Sequence, residues 1–291
     1  MPERTGAALL RWLNGPEARP YYYASSVTTP GDVEAFVALW QAAQAKAIGP
    51  ATLAGQAACQ PLPGALAQKE ATIRQTDQFK TMYEPFGAVF GSVGIRDLIA
   101  PQVWADTGYA DELAAQAPAQ GDEEALFDYC FANGRLEPPM MLGMNAAVIV
   151  SGRRSLGTLS PLRLQSASAA KATFEFDALP RPNWLLVYVV VQTGQLVVGN
   201  GVHHVLGLLR AGRDHAHCLV MQRPLDQMFN YGQDVGIFKP DRLVEARPPL
   251  VRDYLDPASS DVVAVRAVDQ FMRFGVSQPE VAHVPQSEVV V

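Results

Sequence analysis

Four of the chain's five histidines, His203, His204, His215 and His217, fall in one short stretch together with Cys218. Histidine carries charge or moves a proton near neutral pH, so His203 and His204 are the candidate catalytic residues. Just before them Gly199-Asn200-Gly201 interrupts a β-branched run, and glycine there adopts positive φ at little cost. A helix that starts after such a break has main-chain N–H groups free to meet an anion. Gly199, Asn200, Gly201, Val202, His203 and His204 therefore form a candidate phosphate cradle. Arg153 and Arg154 could clamp the same phosphate, although a turn pair of arginines is ordinarily solvated. Metal binding by the histidines and Cys218 fits less well. Neighbouring helical residues diverge by about 100°, and His215 and His217 share a face only if their strand starts as early as residue 215. No metal centre is assigned, and packing within a strand accounts for His217 and Cys218.

The elements that must position these residues are legible around them. Leu186 to Val191 suits a strand buried on both faces, Thr193-Gly194 a turn, and Gln195 to Val198 a returning strand. Val205, Leu206 and Leu209 then recur at helical spacing, from a start at Val202 or His203 to a stop at Ala211-Gly212. His217 to Met221 reads as a further buried strand.

Earlier in the chain, Thr29 as cap, Pro30 at the first position and Asp32 in the first turn predict a helix from Pro30 to about Lys46. Its inward face is Val33, Phe36, Val37 and Trp40. Tyr21-Tyr22-Tyr23 is read as packing side chains, since three consecutive rings point in different directions and make a poor base-stacking platform. Residues 51–69 read as a connector, and Ile95 to Ile99 as a short strand. Helices follow at Tyr109 to Ala117 and, capped by Asp122, at Glu123 to Ala132, where Asp122, Glu123 and Glu124 complement the helix dipole. Ala146 to Val150, Thr158 to Leu164, Thr173 to Phe176 and Val262 to Val268 are strand candidates. Residues beyond Val220 read as a long arm laid over the domain, with a fraying end.

A chain of 291 residues with 48% hydrophobic content can bury a large core. Its net charge of −6 argues against broad adhesion to nucleic acid or anionic membrane. Three cysteines without paired spacing point to a reducing compartment, and the apolar run near the N-terminus is too short for a secretory core or membrane span. The expectation is a soluble, cytoplasmic protein.

The string Val197-Val198-Gly199-Asn200-Gly201-Val202-His203-His204, followed by LGLLRAG, resembles the signature of the ParB/sulfiredoxin-like (ParB-like nuclease) superfamily. There a strand leads to a glycine and a G-x-x-R type turn, then a helix and a second glycine. The likeness covers about 40 residues, and the segment from Ile95 through Leu136 is similar in character to the start of such domains. The resemblance implies an α+β fold: a mixed sheet with short helices as core at 81–225, an N-terminal helical segment at 1–80 and a C-terminal arm at 226–291. It also implies phosphate binding at the turn, with a nucleoside triphosphate and a divalent cation as the possible cofactors. By position, Gly201 matches the family glycine and His204 stands where arginine is usual. Val202 replaces both the sulfiredoxin cysteine and the glutamate of the CTP-hydrolysing partition proteins, so neither chemistry carries over. No helix-turn-helix pattern follows. Two functions remain: a nucleotide- or nucleic-acid-phosphate-binding protein, with or without processing of its ligand, or a non-catalytic module that binds a protein partner or forms a homo-oligomer.

Overall fold

The computed structural model describes residues 3–25, 27–51, 53, 55, 59–132, 140–144, 147–152, 158–159, 163–167, 172–175, 178–179, 183–229, 231, 236–266 and 270–275. In chain order the first elements are β1 (Glu3–Ala8), α1 (Gly15–Ala24), β2 (Val27–Thr29), α2 (Val33–Ala45) and β3 (Cys59–Gln60). Next come α3 (Ala67–Gln75), α4 (Asp77–Met82), β4 (Val89–Gly94), β5 (Trp104–Asp106), α5 (Thr107–Gln116) and α6 (Glu123–Cys130). Six strands follow, β6 (Met140–Met144), β7 (Ala147–Gly152), β8 (Thr158–Leu159), β9 (Arg163–Ala167), β10 (Ala172–Glu175) and β11 (Ala178–Leu179). The chain continues with β12 (Leu186–Val190), β13 (Leu196–Asn200), α7 (Val202–Arg210), β14 (His215–Arg223), α8 (Pro240–Leu243), β15 (Asp261–Arg266) and β16 (Gln270–Gly275). The fold class is α+β.

Contacts divide the chain into two units, Met1–Gly134 with Pro182–Ala267, and Arg135–Arg181 with Val268–Val291. These units cut across the segments 1–80, 81–225 and 226–291 read from the sequence. In the first unit β1 pairs antiparallel with β15, from Glu3 opposite Arg266 to Ala8 opposite Asp261. In the second unit β16, β7 and β6 form one antiparallel sheet in that order, and β9 with β10 and β8 with β11 form two further pairs. Among the described residues no helix is long and apolar enough to cross a membrane.

The five-stranded sheet of the first unit has the order β13-β12-β14-β4-β3. β12 and β13 form the expected antiparallel hairpin, turning through Gly194 at φ +70. β12 and β14 run parallel, with Leu186 opposite Leu219 and Val190 opposite Arg223. Parallel neighbours need a crossover, which β13 and α7 supply. Six of the nine residues of α7 are buried. Its middle lies so close to α5 that a Cβ on Gly207 would sit 2.9 Å from Leu113 Cβ, 3.1 Å from Ala114 N and 3.1 Å from the Tyr129 hydroxyl. Glycine at this position lets α5, α6 and α7 converge.

Several sequence expectations shift in the structure. The first long helix begins at Val33 with Asp32 as its cap: the Asp32 Oδ1 accepts from the Ala35 N–H at 2.7 Å, a stronger cap than Thr29 could make from outside the turn. Phe36 is buried as expected, stacked on Tyr21 at 6.1 Å, while Trp40 is only partly buried and donates to Leu13 O at 2.9 Å. The three tyrosines lie in α1, a helix the sequence pattern concealed behind Pro20. The strand expected at Ile95 to Ile99 stands earlier, as β4; Ile99 makes only isolated bridges, to Val197 and Leu250.

Gly207→Val should force α5 and α7 apart and cost about 1–3 kcal/mol, the usual penalty of overpacking. Urea unfolding measures it; a change under about 0.5 kcal/mol would contradict the close helix approach.

Candidate functional site

Gly201 opens α7 in the left-handed region, at φ +94 and ψ +27, and no side chain caps the helix. Among the described residues no acceptor meets the N–H groups of Val202, His203 and His204, the first intrahelical bond being Val205 N–H to Gly201 O at 3.0 Å. An αL residue followed by helical ones turns successive N–H groups toward one concavity, the arrangement that holds anions. The turn is also closely packed. A Cβ on Gly201 would lie 2.8 Å from Leu185 Cδ1, and one on Gly199 2.7 Å from the Tyr188 ring. The Asn200 side-chain amide donates to Trp184 O at 2.9 Å, and Val202 is buried. Asn200 is exposed and Gly201 half-buried, so the rim stays open.

Both histidines of the turn are engaged by the fold. The Nε2 atom of His203 accepts the Asp106 N–H at 2.9 Å, which places its proton on Nδ1, and its ring lies 5.4 Å from Tyr109. His204 is buried; its Nε2 stands 3.5 Å from Asn183 Nδ2, a donor, and its ring meets the edge of Tyr129 at 5.5 Å. Burial drives the pKa of His203 down to about 4, the Asp106 carboxylate opposing this only in part. Burial likewise lowers His204 to about 4, helped by its neighbour His203. Both imidazoles are neutral acceptors at pH 7 and add no positive charge at the turn. Arg153 and Arg154 lie outside the described residues.

The other histidines form a separate acid–base cluster, because β14 does begin at His215 and alternation puts His215 and His217 on one face. Glu123, in the first turn of α6, reaches both: its Oε2 lies 3.1 Å from His215 Nε2 and 3.0 Å from His217 Nε2, the latter outside hydrogen-bond alignment. Its Oε1 lies 3.4 Å from Arg213, whose guanidinium is buried and also donates to Ala119 O at 2.8 Å. Asp214 holds the far side of His215 at 2.8 Å. Burial opposes ionisation of His215, but its hydrogen bonds to Asp214 and Glu123 prevail and raise its pKa. Burial dominates at His217 and lowers its pKa, against the pull of Glu123. Burial would raise Glu123, yet the His215 hydrogen bond and the surrounding positive charge hold it below the usual carboxylate range. Sequence reading placed Glu123 as a helix-dipole complement; its long-range role had no local signal. Among the described residues no group of three or more His, Cys, Asp or Glu is arranged to hold a metal ion. The cysteines are free, and burial pushes Cys130 up to about 12 and Cys218 well above its ordinary value, which makes both poor nucleophiles.

Comparison with known protein families, curated proteins and solved structures finds no match to this chain.

Because His203 and His204 have folded pKa values below the ordinary 6.5, their contribution is present above that pH and is lost as pH falls through about 4. Each is worth about 3 kcal/mol over the full interval. Urea unfolding should show stability falling between pH 6.5 and 4, with a shallower slope in His204→Gln, which does not titrate. Equal stability at the two ends of this interval would refute buried neutral imidazoles.

Proposed function

We propose that this chain binds a phosphate-bearing ligand, a nucleotide or nucleic acid, through main-chain N–H groups at the start of α7. The observation that carries the reading is Gly201 at φ +94 opening an uncapped helix with three N–H groups that meet no acceptor among the described residues. Phosphate oxygens accept from these groups, and the helix dipole adds roughly half a positive charge at that end. The order strand, glycine turn, buried helix and strand supports the ParB/sulfiredoxin-like resemblance as the source of this cradle. The imidazoles of His203 and His204 serve as struts that fix the turn against Asp106 and Asn183, so the reading is one of binding and assigns no catalytic role. Their burial in neutral form also favours the second reading, a non-catalytic interaction module.

A panel of nucleoside triphosphates with and without magnesium, inorganic phosphate and short oligonucleotides separates the two in a thermal-shift assay, since a ligand that binds only the folded state raises the midpoint. At least one should raise it, and Gly201→Ala, strained at positive φ and pressed against Leu185, should abolish the rise while remaining folded by circular dichroism. No rise with any of them at millimolar concentration would leave the interaction module.

A further inference from the structure

Glu123 stands between two histidines and serves only one of them. Its Oε2 lies 3.1 Å from His215 Nε2 and 3.0 Å from His217 Nε2, but only the contact to His215 is aligned as a hydrogen bond. The other ring nitrogen of His215, Nδ1, meets Asp214 Oδ1 at 2.8 Å. An ionised carboxylate only accepts, so a ring held by two carboxylates carries a proton on each nitrogen, and His215 is an imidazolium. His217 is placed in the opposite way: its side chain is 0% exposed, and neither nitrogen has a hydrogen-bond partner among the described residues. An enclosed donor without an acceptor is costly, and the acceptor it lacks is within reach.

The elements packed around the two rings bring few other charges to them. Arg213, with a side chain 2% exposed, lies 3.4 Å from Glu123 Oε1 and is the fixed cation facing both rings. β4 places Gly94 opposite His215 and Ser92 opposite His217, and none of its residues ionises. On α6, Asp122 is taken up as the cap at Ala125 N–H, Glu124 is exposed, and Asp128 is exposed and pairs with Lys69 at 2.7 Å. Also on α6, the Phe127 ring lies 6.3 Å from His217 and the Cys130 sulfur lies against the His217 main chain. Arg96, past β4, is exposed on the open surface that Arg213 and Asp214 also line.

We propose that the Glu123 carboxylate is a two-position switch set by one proton: His215 holds it as an imidazolium, and it turns to the enclosed Nε2–H of His217 when His215 gives up its Nε2 proton. His215 is 34% exposed, so that proton leaves to water, while the Nδ1–H stays on Asp214, the shorter of the two bonds. The bare Nε2 then sets a lone pair against Glu123 Oε2. Rotation about the last side-chain bond of glutamate is soft, and it brings Oε2 into line with His217. The first turn of α6 thereby changes its anchor on β14 from His215 to His217 as pH rises. Burial opposes the charge on His215, but the hydrogen bonds to Asp214 and Glu123 keep its proton in place above the ordinary 6.5, where burial keeps His217 neutral. With a raised folded pKa, the contribution of His215 to stability is present below 6.5 and is lost as pH rises through the folded value, opposite in sense to that of His203 and His204.

The test is NMR of the imidazole nitrogens and their protons in the full chain, from about pH 6 to 9. His215 should titrate above 6.5, and the Nε2–H proton of His217 should move downfield with the same midpoint, although His217 keeps a single proton throughout. Glu123→Gln should lower the His215 midpoint and abolish the linked movement at His217, whereas Asp214→Asn, at an exposed side chain, should lower the midpoint and keep the linkage. A His217 resonance that stays fixed while His215 titrates, a His217 proton carried on Nδ1, or a His215 midpoint at or below 6.5 would each overturn the switch.

Discussion

The first unit depends on burying α7 between α5 and the five-stranded sheet. β12 and β14 are parallel and adjacent, so the chain must cross between them, and the crossover helix has to pack on the sheet face it spans. Gly207 sets how close it comes to α5, and Gly201 sets where it begins, with Leu185 filling the space a side chain would need. Val202, Val205, Leu206 and Leu208 are buried along its length.

That burial decides the chemistry at each end. At the N-terminal end the two imidazoles are enclosed, so they remain neutral and work as acceptors for Asp106 N–H and Asn183 Nδ2, while the main chain presents the positive end of the helix dipole. At the C-terminal end the chain turns through Gly212, at φ +77, and immediately places Arg213, Asp214 and His215 beside Glu123. Charge is thus excluded from the histidines of the turn and concentrated in the cluster just past the helix.

The hairpin, α7 and β14 were legible in the sequence because their patterns are local: β-branched runs for strands, a 3.6-residue apolar period for the helix, and glycines at the positive-φ turns. The α6 cap at Asp122 was legible for the same reason, its Oδ1 accepting from Ala125 N–H at 2.9 Å. β1 and β4 were hidden. Both carry glycines that lower strand propensity yet permit close approach: a Cβ on Gly6 would meet Trp104 and Ala105, and one on Gly91 would lie 3.1 Å from Gln60 O. The link from Glu123 to His215 and His217 and the convergence of Arg96 with Arg213 join residues far apart in sequence, and no local spacing encodes them.

The turn before α7 presents main-chain N–H groups while its histidines are neutral acceptors held by the fold. Nitrogen-15 chemical shifts of the imidazoles, followed by NMR from pH 7.5 to 4.5, test it most directly. His203 should keep its proton on Nδ1 and an unprotonated Nε2 throughout most of this interval, and His204 should stay neutral beside it. Titration of either ring at the ordinary value of 6.5, or a His203 protonated on Nε2, would contradict it.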